Sequence, residues 1–167
     1  MADRVQLIDE ALFETTLARA ASAPRGRTNH NFHPSLDDNP HRFLNVMTRG
    51  TYITPHRHLD PAKSETFVIL RGEVAFFVFD DRGEIERCQT LGDPMQRAHA
   101  CGIDLAPGVW HSLVVTSESA ICFEVKPGPY QAANDKDFAP WAPREGEPGC
   151  AAYLERLTRY AARSDRR

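Results

Sequence analysis

Hydrophobic and polar positions follow two different periods along this chain. Asp9 precedes a set of apolar positions with helical spacing: Leu12, Phe13, Leu17, Ala20 and Ala21. This spacing predicts a helix that Asp9 caps and that Pro24 and Gly26 end. A second helix is predicted from about residue 149 to residue 163, after a Pro-rich stretch at 127–148 that should form no regular strands.

Between the two helices, short apolar runs are separated by Gly, Pro and Asp residues that favour turns. The runs cover residues 42–48, 52–56, 65–70, 74–79, 85–91, 103–105, 112–115 and 121–125. About eight short strands of this kind predict an antiparallel β-sandwich or β-barrel. The turn residues at 80–83 predict a hairpin. Residues 25–40, rich in Asn, Asp, His and Pro, predict an irregular arm.

Length and patterning together favour one domain of 167 residues, with a helix and arm at 1–41, a barrel core at 42–126, and a Pro-rich segment with the last helix at 127–167. The runs 65–70 and 74–79 are apolar at both odd and even positions, so both faces of their sheet should be covered. The terminal helices or a second copy of the chain could cover them, and we expect a homodimer.

Composition excludes several classes of function. A net charge of −3 disfavours a nucleic-acid partner. The longest apolar stretch, 74–79, is too short to cross a bilayer, so no membrane association is expected. Four cysteines lie without a Cys-x-x-Cys pair, and residues 1–6 contain no leader pattern. We therefore expect a cytoplasmic protein.

Four residues have the chemistry of a metal site. His56 and His58 stand two apart, so in an extended segment their imidazoles share one face, while Glu65 and His111 begin later apolar runs. Three imidazoles and a carboxylate suit one divalent transition metal, with Zn, Fe(II), Mn and Ni all possible. Alternatively, the four are unrelated polar groups at a barrel rim, or Glu65 only accepts a hydrogen bond from a metal-bound imidazole.

The spacing of these residues resembles that of a known superfamily. Gly50-x5-His56-x-His58-x6-Glu65-x6-Gly72 is similar to the first cupin motif, and Pro107-Gly108-x2-His111 to the second. Six residues separate His58 from Glu65 where three or four are customary. The stretches 29–35, 55–58, 108–111 and 124–130 resemble the WbuC family of cupin-fold metalloproteins. The resemblance implies a jelly-roll barrel, or double-stranded β-helix, and a link to bacterial surface-polysaccharide gene clusters. It implies no settled reaction.

Further residues are candidates for substrate contacts. If residues 50–58 are extended, Tyr52 lies on the same side as the histidines and could carry a proton in the cavity. Alternating polar residues in the arm, Asn29, Asn31 and His33, could bind substrate or only tie the arm to the barrel. Lys126, together with Glu124, could point into the cavity or into solvent.

These observations lead to one function hypothesis with two rivals. The first is a metal-dependent enzyme of uncertain reaction, isomerase-like or epimerase-like, acting on a small polar metabolite such as a sugar or nucleotide sugar. The second is an iron(II) dioxygenase. The third is a metal or carbohydrate sensor without catalysis.

Overall fold

Two helices flank the β-rich centre of the chain, as predicted. The computed structural model describes residues 5–96 and 100–164, so the first four residues of the stretch searched for a leader lie outside it. Helix α1 spans Glu10–Ser22, and Asp9 Oδ1 accepts a hydrogen bond from the Leu12 amide at 3.0 Å. Helix α2 spans Cys150–Ser164. Neither helix has the length and apolar character that a membrane crossing requires.

In the part of the chain that the structure describes, the centre is one curled antiparallel sheet of eight strands. Their bounds are β1 Arg27–Asn31, β2 His41–Thr48, β3 His56–Arg57, β4 Glu65–Phe79, β5 Ile85–Gly92, β6 Gly102–Leu105, β7 Trp110–Lys126 and β8 Asp137–Phe138. A path of neighbours runs β1-β2-β7-β3-β8, and β4 pairs with β5, β6 and β7. A short 3-10 turn, Pro94–Gln96, follows β5.

Strands β4 and β7 are each longer than the sequence pattern predicted. The runs 65–70 and 74–79 form one bent strand, and so do 112–115 and 121–125. The β4–β7 register shifts between Ile69 and Arg71 and again between Gly72 and Val74. These irregularities bend the paired strands without ending them, because the extra residue increases the local twist. The turn-like residues that separated the predicted runs therefore mark bends.

Two strands were not predicted at all. β1 lies in the arm that the sequence described as irregular, and β8 lies in the Pro-rich segment that was predicted to contain no strand. At residues 52–56 the sequence predicted more strand than the structure contains, because only His56–Arg57 pairs as a strand. β8 has two residues and is held by pairing with β3, so it leaves no alternation for a sequence pattern to reveal.

The chain's own helices cover the outer faces of the sheet. One core cluster, which includes Phe67, Ile69 and Phe76, fills the space inside the curled sheet. On the outside, α2 packs Leu157 and Ala161 against a second cluster on β4 and β7. The residues of α1 pack against Leu44, Val46 and Ile121. The two-sided apolar pattern of β4 is thus explained within one chain, and the homodimer stays a prediction.

Gly72 at the bend of β4 gives a first test. Its φ is +78°, and a Cβ there would lie 2.1 Å from the Ser119 carbonyl oxygen, so we expect Gly72→Ala to reduce the free energy of unfolding by about 3 kcal/mol. Gly50 has a φ of +90°, but a Cβ there would have no neighbouring atom within 4 Å, so Gly50→Ala should cost only about 1 kcal/mol. Urea unfolding of both variants measures the difference, and equal losses would contradict the role of the clash.

Candidate metal centre

The fold brings the four predicted ligands to one point inside the barrel. His56 on β3 lies directly opposite His111 on β7, while Glu65 is the first residue of β4. His58 follows β3 by one residue. All four side chains are buried, and one donor atom from each lies within 4.8 Å of the others. Residues far apart in the sequence therefore become neighbours because β3 and β7 pair.

Each of the three imidazoles is oriented by a hydrogen bond from its Nδ1 atom. His56 Nδ1 lies 3.0 Å from the Thr54 carbonyl oxygen, and His111 Nδ1 lies 2.9 Å from that of Val109. His58 Nδ1 is bonded to the Asp135 carbonyl oxygen. A carbonyl only accepts, so each Nδ1 carries the hydrogen and each neutral ring presents an Nε2 lone pair to the cluster. This arrangement is typical of metal-binding histidines.

Three of the atoms that face the centre of the cluster have no hydrogen-bond partner. Glu65 Oε1 lies 3.0 Å from His58 Nε2, and Glu65 Oε2 lies 3.0 Å from His111 Nε2. Despite these distances, no described residue gives His58 Nε2, Glu65 Oε2 or His111 Nε2 a hydrogen bond of acceptable geometry, and all three atoms are buried. Lone pairs that face a carboxylate repel one another unless a cation lies between them. The residues therefore fit a divalent metal ion.

Electrostatics keep these groups in their metal-binding forms. Burial lowers the pKa of His56 well below its ordinary value, and the charges of Lys136 and His111 act in the same direction. Burial alone would raise the pKa of Glu65, but hydrogen bonds from His111 and His58, whose place a metal ion would take, and the charge of Lys126 hold that pKa well below the usual value. A neutral imidazole and an ionised carboxylate are the forms that bind metal.

A network of buried charges surrounds the cluster. Lys126 Nζ lies 3.3 Å from Glu65 Oε1, 3.3 Å from Asp135 Oδ2 and 3.7 Å from Glu124 Oε1. Lys63 Nζ lies 2.9 Å from Asp135 Oδ1. Burial would lower the pKa of Lys126, but the three carboxylates outweigh burial and raise it. By contrast, burial raises the pKa of Glu124 to about 8, and the charge of Glu65 acts in the same direction.

Two cavities that share part of their lining lie at the cluster and beside it. The inner cavity, about 40 Å³, is lined by His56, Glu65 and His111 and has room for one or two oxygen atoms of a ligand. The outer cavity, about 450 Å³, is large enough for a small metabolite. Four residues line both cavities and so mark the junction between them: Asn45, Ile53, Glu124 and Lys136.

The four residues predicted to contact substrate all lie in the wall of the outer cavity. Asn29 and Asn31 are on β1, His33 follows that strand, and Lys126 ends β7. The sequence left open whether Lys126 and Glu124 point inward or outward, and the structure shows that both line the outer cavity. Binding of a substrate by these residues stays a prediction.

The prediction that Tyr52 lines the cavity was wrong. The Tyr52 hydroxyl donates a hydrogen bond to the Pro143 carbonyl oxygen at 2.7 Å, and its ring packs against Tyr153. It lines neither of the two cavities, whereas its neighbour Ile53 lines both. The alternation of sides assumed an extended segment, but residues 51–55 form no strand, so the alternation fails.

Sequence reasoning missed Asp135 and Lys136, which a Pro-rich segment brings to the cluster, and Asn45 at the cavity junction. One signal could have found Lys136. The chain contains seventeen arginines but only three lysines. All three lysines, at 63, 126 and 136, lie at this site. Lysine carries a compact charge on a narrow stem, which suits a crowded interior better than a planar guanidinium does.

Solved structures with similar folds confirm the cupin-type architecture. CapF, the capsular polysaccharide assembling protein of Staphylococcus aureus, is 16% identical with a TM-score of 0.56, over 70% of this chain and 30% of CapF. A Klebsiella pneumoniae protein with a double-stranded β-helix domain is 12% identical with a TM-score of 0.56, over 82% of this chain and 97% of that one. Protein TT1209 from Thermus thermophilus is 18% identical with a TM-score of 0.52, over 74% and 97%.

These likenesses concern the fold, because every identity is low. The chain spans about a third of the length of the CapF proteins that it matches. No curated protein matches the sequence. One family model does match, described as a domain of unknown function, DUF6016, and it covers residues 8–91, half of the chain. That segment contains β1 to β4 and three of the four clustered side chains, and the chain belongs to the DUF6016 family.

Proposed function

We propose that this chain is a metal-dependent enzyme that moves a proton on a small hydroxylated metabolite, with isomerase-like or epimerase-like chemistry. One observation carries the proposal: three imidazoles and a carboxylate meet with unpartnered lone pairs at a small inner cavity, which shares lining residues with an outer cavity of about 450 Å³. His56, His58, Glu65 and His111 would hold the ion. When bound, a divalent ion acts there as a Lewis acid toward a carbonyl or hydroxyl oxygen.

Glu124 replaces Tyr52 as the residue that carries the proton. Its side chain lines the junction of the two cavities, so it faces any ligand that extends from the outer cavity into the inner one. Asn45 Nδ2 donates a hydrogen bond to Glu124 Oε2 at 3.2 Å, which leaves Oε1 beside Lys126 and available to a ligand. Burial raises the pKa of Glu124 to about 8, within the range in which a carboxyl can both take and return a proton near neutral pH.

The outer cavity would supply substrate recognition. Asn29 and Asn31 offer both donors and acceptors at the rim, and His33 and Lys126 lie in the same wall. These groups suit a molecule with several hydroxyls, such as a sugar or a nucleotide sugar. A role in bacterial surface-polysaccharide metabolism is supported by the WbuC resemblance and by the fold shared with CapF. WbuC family membership, a homodimeric state and a cytoplasmic location are parts of the same proposal.

Deuterium incorporation tests the proposed chemistry. Metal-loaded protein is incubated in D2O with a panel of sugar phosphates and nucleotide sugars, and the products are read by NMR. We expect solvent deuterium in at least one product, and a loss of rate of about 100-fold or more in Glu124→Gln with metal content unchanged. Glu118→Gln is the matched control, because Glu118 lies on the same strand but is exposed and lines neither cavity.

The rival functions give different results in the same assay. Substrate-dependent uptake of O2 without deuterium exchange would identify the iron(II) dioxygenase. Binding without any turnover would identify a sensor. A Glu124→Gln variant that exchanges deuterium at the wild-type rate would remove Glu124 from the chemistry.

A further inference from the structure

The charges around the metal cluster balance only while no ion is counted. Three carboxylates lie in this region: Glu65, Glu124 and Asp135. The chain's three lysines face them, with Lys63 and Lys126 buried and Lys136 lining both cavities. With all six groups ionised, three negative and three positive charges cancel. Burial raises the pKa of Glu124 to about 8, so a proton on Glu124 shifts the balance toward positive charge, whereas burial lowers the pKa of Lys136 and acts the other way. A divalent ion among the histidines would therefore leave an excess of about two positive charges in a poorly solvated interior, which an anionic ligand would offset.

Most cations of the cavity wall already bind a carboxylate. Arg27 makes a two-pronged ion pair with Glu145, with N–O distances of 2.8 and 2.7 Å. Lys126 contacts Glu65 and Asp135, as described above. For Lys136, no carboxylate of residues 5–96 and 100–164 comes within 4.0 Å. Lys136 is exposed as a whole residue and also lines both cavities, so an incoming ligand can reach it.

An unpartnered acceptor lies at the same junction. Asn45 Oδ1 is buried and has no hydrogen-bond partner among the described residues, while its Nδ2 atom is bonded to Glu124. A buried amide oxygen left without a donor costs about 1–3 kcal/mol, so a donor from a ligand would be favoured there. A hydroxyl group supplies such a donor. A carboxylate or a phosphate ester that is fully ionised does not.

From these observations we propose that the ligand of this site is a small hydroxylated anion, a sugar carboxylate or a sugar phosphate, whose charged group binds Lys136 and one of whose hydroxyls donates to Asn45 Oδ1. This inference rests on the proposed metal cluster for its charge excess. It adds a substrate class and two recognition residues to the proposed function. Neutral sugars lack the charge that Lys136 would bind, and simple anions lack the hydroxyl that Asn45 would accept.

Calorimetric titration of zinc-loaded protein tests this proposal without any need for turnover. The probes are glucuronate, glucose 6-phosphate, glucose and acetate. We expect the two sugar anions to bind at least about tenfold more tightly than glucose and acetate. Lys136→Met should weaken the binding of the sugar anions by about tenfold or more and leave glucose unchanged. Arg82→Met removes the same charge from an exposed turn outside the cavities, so it should change neither the affinity for the sugar anions nor the affinity for glucose.

Further arms separate the parts of the proposal. Asn45→Leu should weaken the binding of glucuronate and of glucose 6-phosphate by about the same factor. In the wild-type protein, the ratio of the two affinities tells whether the site favours a carboxylate or a phosphate. A higher salt concentration should weaken the binding of the sugar anions more than the binding of glucose. Equal affinity for glucose and glucuronate, or no saturable binding of either sugar anion at millimolar concentration, would overturn the inference. So would wild-type affinity in Lys136→Met.

The same titrations distinguish failure of this inference from failure of the proposed function. If the sugar anions bind through Lys136 but no panel member exchanges deuterium, the ligand class stands and the enzyme proposal fails. If exchange occurs on a neutral sugar and Lys136→Met has no effect, the enzyme proposal stands and the ligand class is wrong.

Discussion

Replacing His111 with alanine should lower the bound metal from about one ion per chain to less than a tenth of that amount. His111 supplies one of three Nε2 lone pairs, and its ring is fixed from both sides, by the Val109 carbonyl oxygen and by stacking on Phe76 at 5.8 Å between ring centroids. Losing one of four ligands from a preorganised site costs several orders of magnitude in affinity. Elemental analysis of protein loaded with zinc and then desalted measures the result.

His30→Ala is the matched control for this experiment. His30 lies on β1, packs its ring against Phe32 and is not a member of the cluster, so that variant should retain about one ion per chain. A thermal readout supports the elemental one: added zinc should raise the Tm of the wild type and of His30→Ala, and leave the Tm of His111→Ala unchanged. Full metal content in His111→Ala would remove the four-residue site from consideration.

Lys126→Met should destabilise the metal-free protein by roughly 3–5 kcal/mol. Lys126 is 7% exposed, and its ammonium group is the cation nearest to Glu65 in the buried network. Methionine fills a similar volume but leaves Glu65, Glu124 and Asp135 with less compensating charge. Urea unfolding at neutral pH measures the loss, and Arg42→Met, which removes an exposed cation from β2, should change the free energy of unfolding by less than about 1 kcal/mol.

A double variant tests the cause of that loss. Adding Glu65→Gln to Lys126→Met removes the carboxylate charge nearest to the lysine, so in the metal-free protein the double variant should be more stable than Lys126→Met alone. Zinc should also recover part of the lost stability, because the ion replaces some of the missing positive charge beside Glu65. A double variant whose losses simply add would show that Lys126 acts by packing and not by charge.

Local patterns in the sequence were enough to predict the fold class and the clustered side chains. Both helices follow from apolar spacing and from the cap at Asp9, and the strand-rich centre follows from short apolar runs. The pair His56 and His58 could be recognised from two-residue spacing, and His111 from the motif around Gly108. These signals are local, because each depends on residues close together in the chain.

The rest of the site depends on contacts that have no local pattern. Asp135 and Lys136 come from a segment without periodicity, and the pairing of β8 with β3 and the contacts of Asp135 itself bring them to the cluster. The error on Tyr52 has a similar origin. Alternation of side chains holds in a regular strand, and residues 51–55 are held by side-chain hydrogen bonds such as that of Thr54, not by strand pairing. The bends in β4 and β7 were missed because a bulge and a turn use similar residues.

The position of Asp135 has a thermodynamic consequence. Its carbonyl oxygen orients His58, its carboxylate joins Lys63 and Lys126, and the next residue in the chain is Lys136. One short stretch of backbone thus touches both the cation end and the anion end of the pocket. A ligand that repositions this stretch from one end changes the site at the other, so the affinities for the cation and the anion should be reciprocally coupled.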